Sequence, residues 1–231
     1  MDSLHPEELK TGNAVIARRV SSPVRLSAQD PAAEWRSARS IHFSADWRAQ
    51  NSDPELETEV RILWSPSILY LHFTCCYRQL FVFDDSVLNG RRDQLWERDV
   101  VEAFLQPPEL GAKSNISVSN SRYRAFYKEF EIAPNGMWID LDISPSGLTD
   151  LKSGLTRSVH VNEAKKTWTA ELAIPMNMLT ANFDPNADWR ANFFRVEGKI
   201  ERRTYMAWQP THTPEPNFHV PQAFGILEFE V

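Results

Sequence analysis

The chain is poor in cysteine, in basic charge and in long apolar runs. Only Cys75 and Cys76 of its 231 residues are cysteines. Neighbours in a strand point to opposite faces, so these two are badly placed to bridge each other. Two thiols are also too few for a structural zinc site. Cys75 falls on the apolar side of its segment and reads as a small core residue. The net charge is −6, and no cluster of Lys and Arg exists to neutralise phosphates, so no nucleic-acid partner is expected. No apolar run approaches the roughly 20 residues that cross a bilayer, so no membrane partner is expected either. Residues 1–10 lack the basic start and apolar centre of a signal peptide, and the chain as written reads as cytoplasmic. Gly-x-Ser-x-Gly, a Gly-rich phosphate loop and His-Glu-x-x-His are all missing.

What is present is apolar alternation. The composition is 42% hydrophobic with 13 Phe and 8 Trp, enough for a substantial core. A flexible leader, residues 1–13, precedes a short strand at 14–20. Asp30 and Pro31 then suggest the N-cap and first position of a helical turn running to Trp35. Residues 43–47 form a short apolar segment. Residues 57–64 and 68–75 make a hairpin across Ser65-Pro66-Ser67, with Leu69, Leu71, Phe73 and Cys75 on one face and Tyr70, His72 and Thr74 on the other. His72 reads as a sheet histidine with its hydrogen bonds satisfied. Residues 109–122 read as a loop. Residues 126–132 and 137–143 flank Pro134-Asn135-Gly136, a strong hairpin signal. Residues 144–154 read as another loop, and 155–161 with 167–175 as a further hairpin that aligns Trp168, Ala170, Leu172 and Ile174. Strands at 189–196, 204–208 and 225–231 complete the pattern. About ten strands at short spacing with minimal helix indicate an all-β, single-domain, jelly-roll-like antiparallel β-sandwich spanning 1–231.

Chemistry concentrates in residues 95–108. This stretch reads as a strand with Trp96 at its mouth and Asp99 and Glu102 carried into an apolar run, ended by Pro107-Pro108. Asp99 and Glu102 are three apart, so in a strand they face opposite ways. Asp99 shares its side with Val101, Ala103 and Leu105 and reads as structural. A glycosidase would need Glu102 to join a cross-strand carboxylate, Glu129 or Glu131, although acids on a sheet face are usually solvated. His212 and His219 match no zinc spacing. Asp84, Asp85, Asp140 and Asp142 are scattered candidates for calcium. A haem site would need an axial pair from His160, His219, Met137 and Met206. The aromatics Trp96, Trp208 and Phe218, set at strand ends and loops beside Glu, Arg and Asn, suit a sugar ring: its C–H face stacks on an aromatic while its hydroxyls meet carboxylate, guanidinium and amide.

These stretches resemble carbohydrate-binding module family 9 and, more distantly, DOMON-like domains. The resemblance runs from about Ala33 to Val231. It rests on Trp35, on Val60 to Trp64 with Leu69-Tyr70-Leu71, on Trp96-Glu97-Arg98-Asp99-Val100-Val101-Glu102-Ala103-Phe104, on Thr167 to Pro175 ending in Ile-Pro, and on Ala207-Trp208 with Phe218, Pro221 and Phe224-Gly225. It implies non-catalytic binding of a mono- or oligosaccharide, a place beside glycoside hydrolases in polysaccharide breakdown, secretion, and structural calcium in some members. It further implies that Trp96 is one aromatic wall and Glu102 a hydroxyl acceptor, with Phe218 as the second wall where the family has tryptophan. Arg202 or Arg203 would supply the family's arginine, Arg202 being favoured by spacing. The family's other binding arginine has no counterpart near Phe130, where Glu129 and Glu131 stand.

Overall fold

The structure, a computed structural model, describes residues 12–84, 90–108, 126–199 and 202–230. Among them are thirteen strands: β1 (Ala14–Arg19), β2 (Ser40–Phe43), β3 (Thr58–Trp64), β4 (Ile68–Cys76), β5 (Val100–Gln106), β6 (Tyr127–Ile132), β7 (Trp138–Ser144), β8 (Gly147–Asp150), β9 (Thr156–Asn162), β10 (Thr167–Pro175), β11 (Trp189–Glu197), β12 (Thr204–Ala207) and β13 (Gly225–Phe229). One short helix, α1 (Met176–Leu179), follows β10. The hydrogen-bonded order is β8-β7-β6-β5-β11-β13-β1-β3-β4-β10-β9, with β12 beside β11 and β2 beside β3. All neighbours are antiparallel except β1, which runs parallel to both β13 and β3.

Alternation folds this ribbon into two layers. Val101, Ala103 and Leu105 of β5 and Phe193 of β11 share a buried core with Leu69, Leu71, Phe73 and Cys75 of β4 and Trp168, Ala170, Leu172 and Ile174 of β10. Each set recurs at every second residue, so each layer turns one face inward. The outer faces are also covered. Trp35 and Val24 pack on Leu63, Tyr70 and Ala173 outside β3-β4-β10. Outside β5-β6-β7-β11, Val100, Phe104, Tyr127, Ile139, Leu141, Phe194 and Val196 lie under Phe218 and Phe224. The candidate site lies on this second face.

Several expectations need revision. The helical turn at Trp35 is a 3-10 turn, Ala33–Ser37, with Ala32 at its N-cap and no side-chain cap. Asp30 pairs with Arg25 instead. Strand β2 lies ahead of the expected 43–47 segment because Ser40–Phe43 pairs with Thr58–Arg61. Strand β8 falls inside the expected 144–154 loop, where a tight turn brings Gly147 opposite Ser144; its four residues are all exposed, so no apolar alternation announces it. Residues 109–122 and 1–11 lie outside the described residues, and residues 12 and 13 already belong to a 3-10 turn leading into β1. His72 is buried but unsatisfied: Nδ1 has no partner, and Nε2 stands 3.9 Å from Glu171.

Candidate functional site

Trp96 belongs to a 3-10 turn, Leu95–Glu97, not to a strand mouth. Leu95 is fully buried and anchors that turn, leaving Trp96 half-buried beside it. The turn is positioned from below by Asp99. Its carboxylate accepts from the Phe81 and Gly198 backbone N–H groups, both at 2.8 Å, and so ties together the two segments flanking the turn. Asp99 is 1% exposed and structural, as alternation indicates.

The loop after β12 forms the facing side. Trp47 Nε1 donates to Thr213 O and Trp47 O accepts from His212 N, stapling the loop to the sheet. Further on, Asn217 Oδ1 accepts from His219 N, and His219 Nδ1 lies 2.6 Å from the Tyr127 hydroxyl. Phe218 drops between these polar ties and stacks on Phe194.

These elements enclose a cavity of about 260 Å³ lined by Trp96, Glu102, Glu129, Leu141, Leu148, Val196, Arg203, Tyr205, Pro216, Asn217, Phe218 and His219. Of the residues singled out from the sequence, Trp96, Glu102, Arg203 and Phe218 meet here. Arg202 and Trp208 do not. Arg202 is exposed, whereas Arg203 donates through Nη2 to Glu97 O at 2.6 Å and is held over the cavity by the tryptophan turn. Trp208 points inward by alternation from Tyr205, packing against Phe193 and Gly225. Phe218 is 8% exposed, so it is a wall set deep in the cavity rather than an open platform.

Sequence reasoning brought Glu102 together with Glu129 or Glu131 across the strands but expected acids on that face to be solvated. Glu102 pairs in register with Glu131 across β5 and β6, and Glu129 lies two residues along on the same face. One oxygen from each lies within 4.8 Å of the other two. All three residues are buried rather than solvated, at 3% exposure or less. Burial, reinforced by the neighbouring carboxylates, pushes Glu102 and Glu131 well above the usual range; burial also raises Glu129. Tyr127 is raised too, by burial and then by Glu129 and Glu102. The register bears out the cross-strand neighbourhood of Glu102 with Glu129 and Glu131; what the sequence did not carry is their burial.

The other candidates are accounted for elsewhere. Asp140 accepts from Ser153 N and faces Arg91, and Asp142 pairs with Lys128, so neither is open to calcium. Asp84 is exposed, and Asp85 lies outside the described residues. Met206 and Met137, each a candidate for an axial Met/His pair, are buried in separate cores. A larger hollow of about 810 Å³ lies near β1 and β3, lined mainly by Arg18, Arg19, serines and prolines; its aromatic, Tyr70, is only 2% exposed and offers no platform.

A β-sandwich with an aromatic- and carboxylate-lined cavity on one outer face has the architecture of a carbohydrate-binding module. Residues 40–229 match the model of carbohydrate-binding family 9, and the chain belongs to that family. It is 24% identical over 207 residues to an "Extracellular protein" of Arthroderma benhamiae, covering 87% of this chain and 89% of that one. A Bacteroides uniformis chain named a putative carbohydrate-binding protein superposes with a TM-score of 0.66 at 17% identity, covering 94% of this chain and 99% of that one. A family 9 module from Caldicellulosiruptor kristjanssonii, solved with cellotriose, gives 0.59 at 14%, covering 94% and 93%. These likenesses establish the shared fold.

Proposed function

We propose that this family 9 domain binds a neutral sugar in the cavity beneath Trp96, without catalysis. The observation that carries the reading is the convergence of Trp96, Glu102, Arg203 and Phe218 on one cavity of about 260 Å³. That volume is near the lower end for ligand pockets and suits a single ring or chain end better than the middle of a polymer. Trp96 offers a polarisable face to the ring's C–H edge. Glu102 at the floor accepts from hydroxyls, while the Arg203 guanidinium and Asn217 amide donate to ring and hydroxyl oxygens. Arg202 and Trp208 have no part in it. A mono- or oligosaccharide is the fitting ligand class, as cellotriose is for the Caldicellulosiruptor module. The name of the Arthroderma relative fits an extracellular setting, where association with glycoside hydrolases would place the domain in polysaccharide breakdown.

Calorimetric titration against mono-, di- and trisaccharides of the cello and xylo series tests this. Saturable binding that weakens at least about tenfold in Trp96→Ala is expected, a loss of about 1.4 kcal/mol. No response across the panel, or identical behaviour of the two proteins, would overturn it.

A further inference from the structure

We propose that Glu102, Glu129 and Glu131 form a calcium site in the floor of the cavity, whose ion takes hydroxyl oxygens of the bound ligand into its coordination shell.

Two independent observations carry this. The first is convergence: three carboxylates from adjacent antiparallel strands direct one oxygen each to a common region less than 4.8 Å across. Some point lies within about 2.8 Å of all three such oxygens, and calcium–oxygen bonds run about 2.3–2.6 Å, so an inward movement of a few tenths of an ångström brings all three into bonding range. Magnesium, at 2.0–2.1 Å, would demand a larger collapse. The second is the state of the oxygens. Glu129 and Glu131 have, among the described residues, only each other's carboxyl group to share a hydrogen bond with; beyond that contact, both oxygens of Glu131 and Oε2 of Glu129 are buried without a partner. Among the described residues, none of the three acids forms an ion pair. Buried polar groups in folded proteins are nearly always paired, and an ionised carboxylate left alone in a low-dielectric floor is strongly disfavoured. Glu102 and Glu131 are directly opposite in register, where like charges repel. A divalent ion relieves all of these costs together.

The donor set decides the kind of ion. Three carboxylates and no thiolate make a hard oxygen site, suited to calcium rather than zinc or copper. His219, the nearest imidazole lining the cavity, already has Nδ1 on the Tyr127 hydroxyl. Three carboxylates fill part of a shell of six to eight. Glu102 and Glu129 line the cavity and Glu131 does not, so the vacant coordination positions face the ligand side and Glu131 closes the site from beneath. Vicinal hydroxyls are the natural occupants of those positions. The ion site stands on these residues alone; only its contact with sugar rests on the reading above.

The test uses the full chain, stripped with chelator and returned to calcium-free buffer. Titration with calcium chloride should give one site with a dissociation constant at or below about 1 mM, the range of extracellular calcium modules, and a rise in Tm. Glu131→Gln, which is isosteric and lies off the cavity, should weaken calcium at least about tenfold while melting cooperatively; Glu129→Gln provides the second variant. Sugar affinity should fall in chelator and return with calcium. Absence of heat and of any Tm change up to about 10 mM calcium, or calcium binding unchanged in both variants, would overturn the site and leave the acids protonated. Sugar binding that persists without calcium sinks the ion's role but not the sugar reading. Calcium binding with no sugar response sinks the sugar reading and the ligand contact while the ion site stands.

Discussion

Phe218 lies flat on Phe194, ring centroids 4.1 Å apart and planes within 13° of parallel. One face of Phe218 is therefore spent on the sheet, and Tyr205 meets it at an angle from 6.1 Å. Trp96, half-buried on a short turn, is differently situated: Leu95 is the buried residue of that turn, and Trp96 packs only partly against the same cluster.

The two aromatics should separate in a stability measurement. Phe218→Ala is expected to cost about 3 kcal/mol in urea unfolding, the range for removing a buried phenylalanine. Trp96→Ala should cost about 1 kcal/mol or less. Equal losses would show that Phe218 is not the anchor of its loop.

Asp99 governs the site at one remove. In Asp99→Ala the Phe81 and Gly198 N–H groups lose their acceptor, which should destabilise the fold by about 3 kcal/mol. Sugar affinity should fall as well, although Asp99 lines no part of the cavity, because the Trp96 turn and the Arg203 corner are no longer tied. Asp99→Asn retains one acceptor and should fall between. Unfolding curves and titrations of the two variants decide this, and a wild-type sugar affinity in Asp99→Ala would refute the tie.

Gly225 leaves no room for a side chain. A Cβ there would stand 2.6 Å from both Asn13 O and Trp208 Cη2. Gly225→Ala is expected to lose about 3 kcal/mol or more. Adding Trp208→Ala should make the pair less costly than the sum, because half of the clash is then gone while the Asn13 carbonyl remains. A double-mutant cycle on denaturation midpoints reads the coupling.

His72 makes stability depend on pH. Burial lowers its pKa from 6.5 to about 4, with Glu59 opposing and Arg61 assisting. The unfolded chain thus binds this proton more readily than the folded one. The contribution is intact above about pH 6.5 and is lost as pH falls toward about 4, by up to about 3 kcal/mol. His72→Gln should flatten that part of the profile in urea midpoints taken at about pH 7 and about pH 4.5. If variant and wild type decline in parallel, His72 is instead charged in the fold and paired with Glu171.

The inner faces of the sandwich were legible because alternation is a local signal: Leu69 to Cys75 and Trp168 to Ile174 face the core as their spacing indicates. Strand β8 was not, since Gly147 to Asp150 carry no buried face. In the site, Trp96, Glu102 and Phe218 were reachable from spacing and resemblance. The choice between Arg202 and Arg203 was not, because it depends on which guanidinium reaches the Glu97 carbonyl across the fold. The burial of Glu129 and Glu131 was hidden for a similar reason: a carboxylate on an alternating strand looks solvated until the parts of the fold that cover it, for Glu129 the cavity walled by Phe218, are in place.

The parallel pairing of β1 with β13 bears on how the molecule is made. β13 is the seam strand, held by β1 on one side and β11 on the other. Among the described strands it is the last in chain order. Until β13 is in place, β11 and β1 each present an unpaired edge where it will insert. Joining the two halves therefore needs a pairing between chain segments far apart in sequence, the kind of non-local contact that forms slowly.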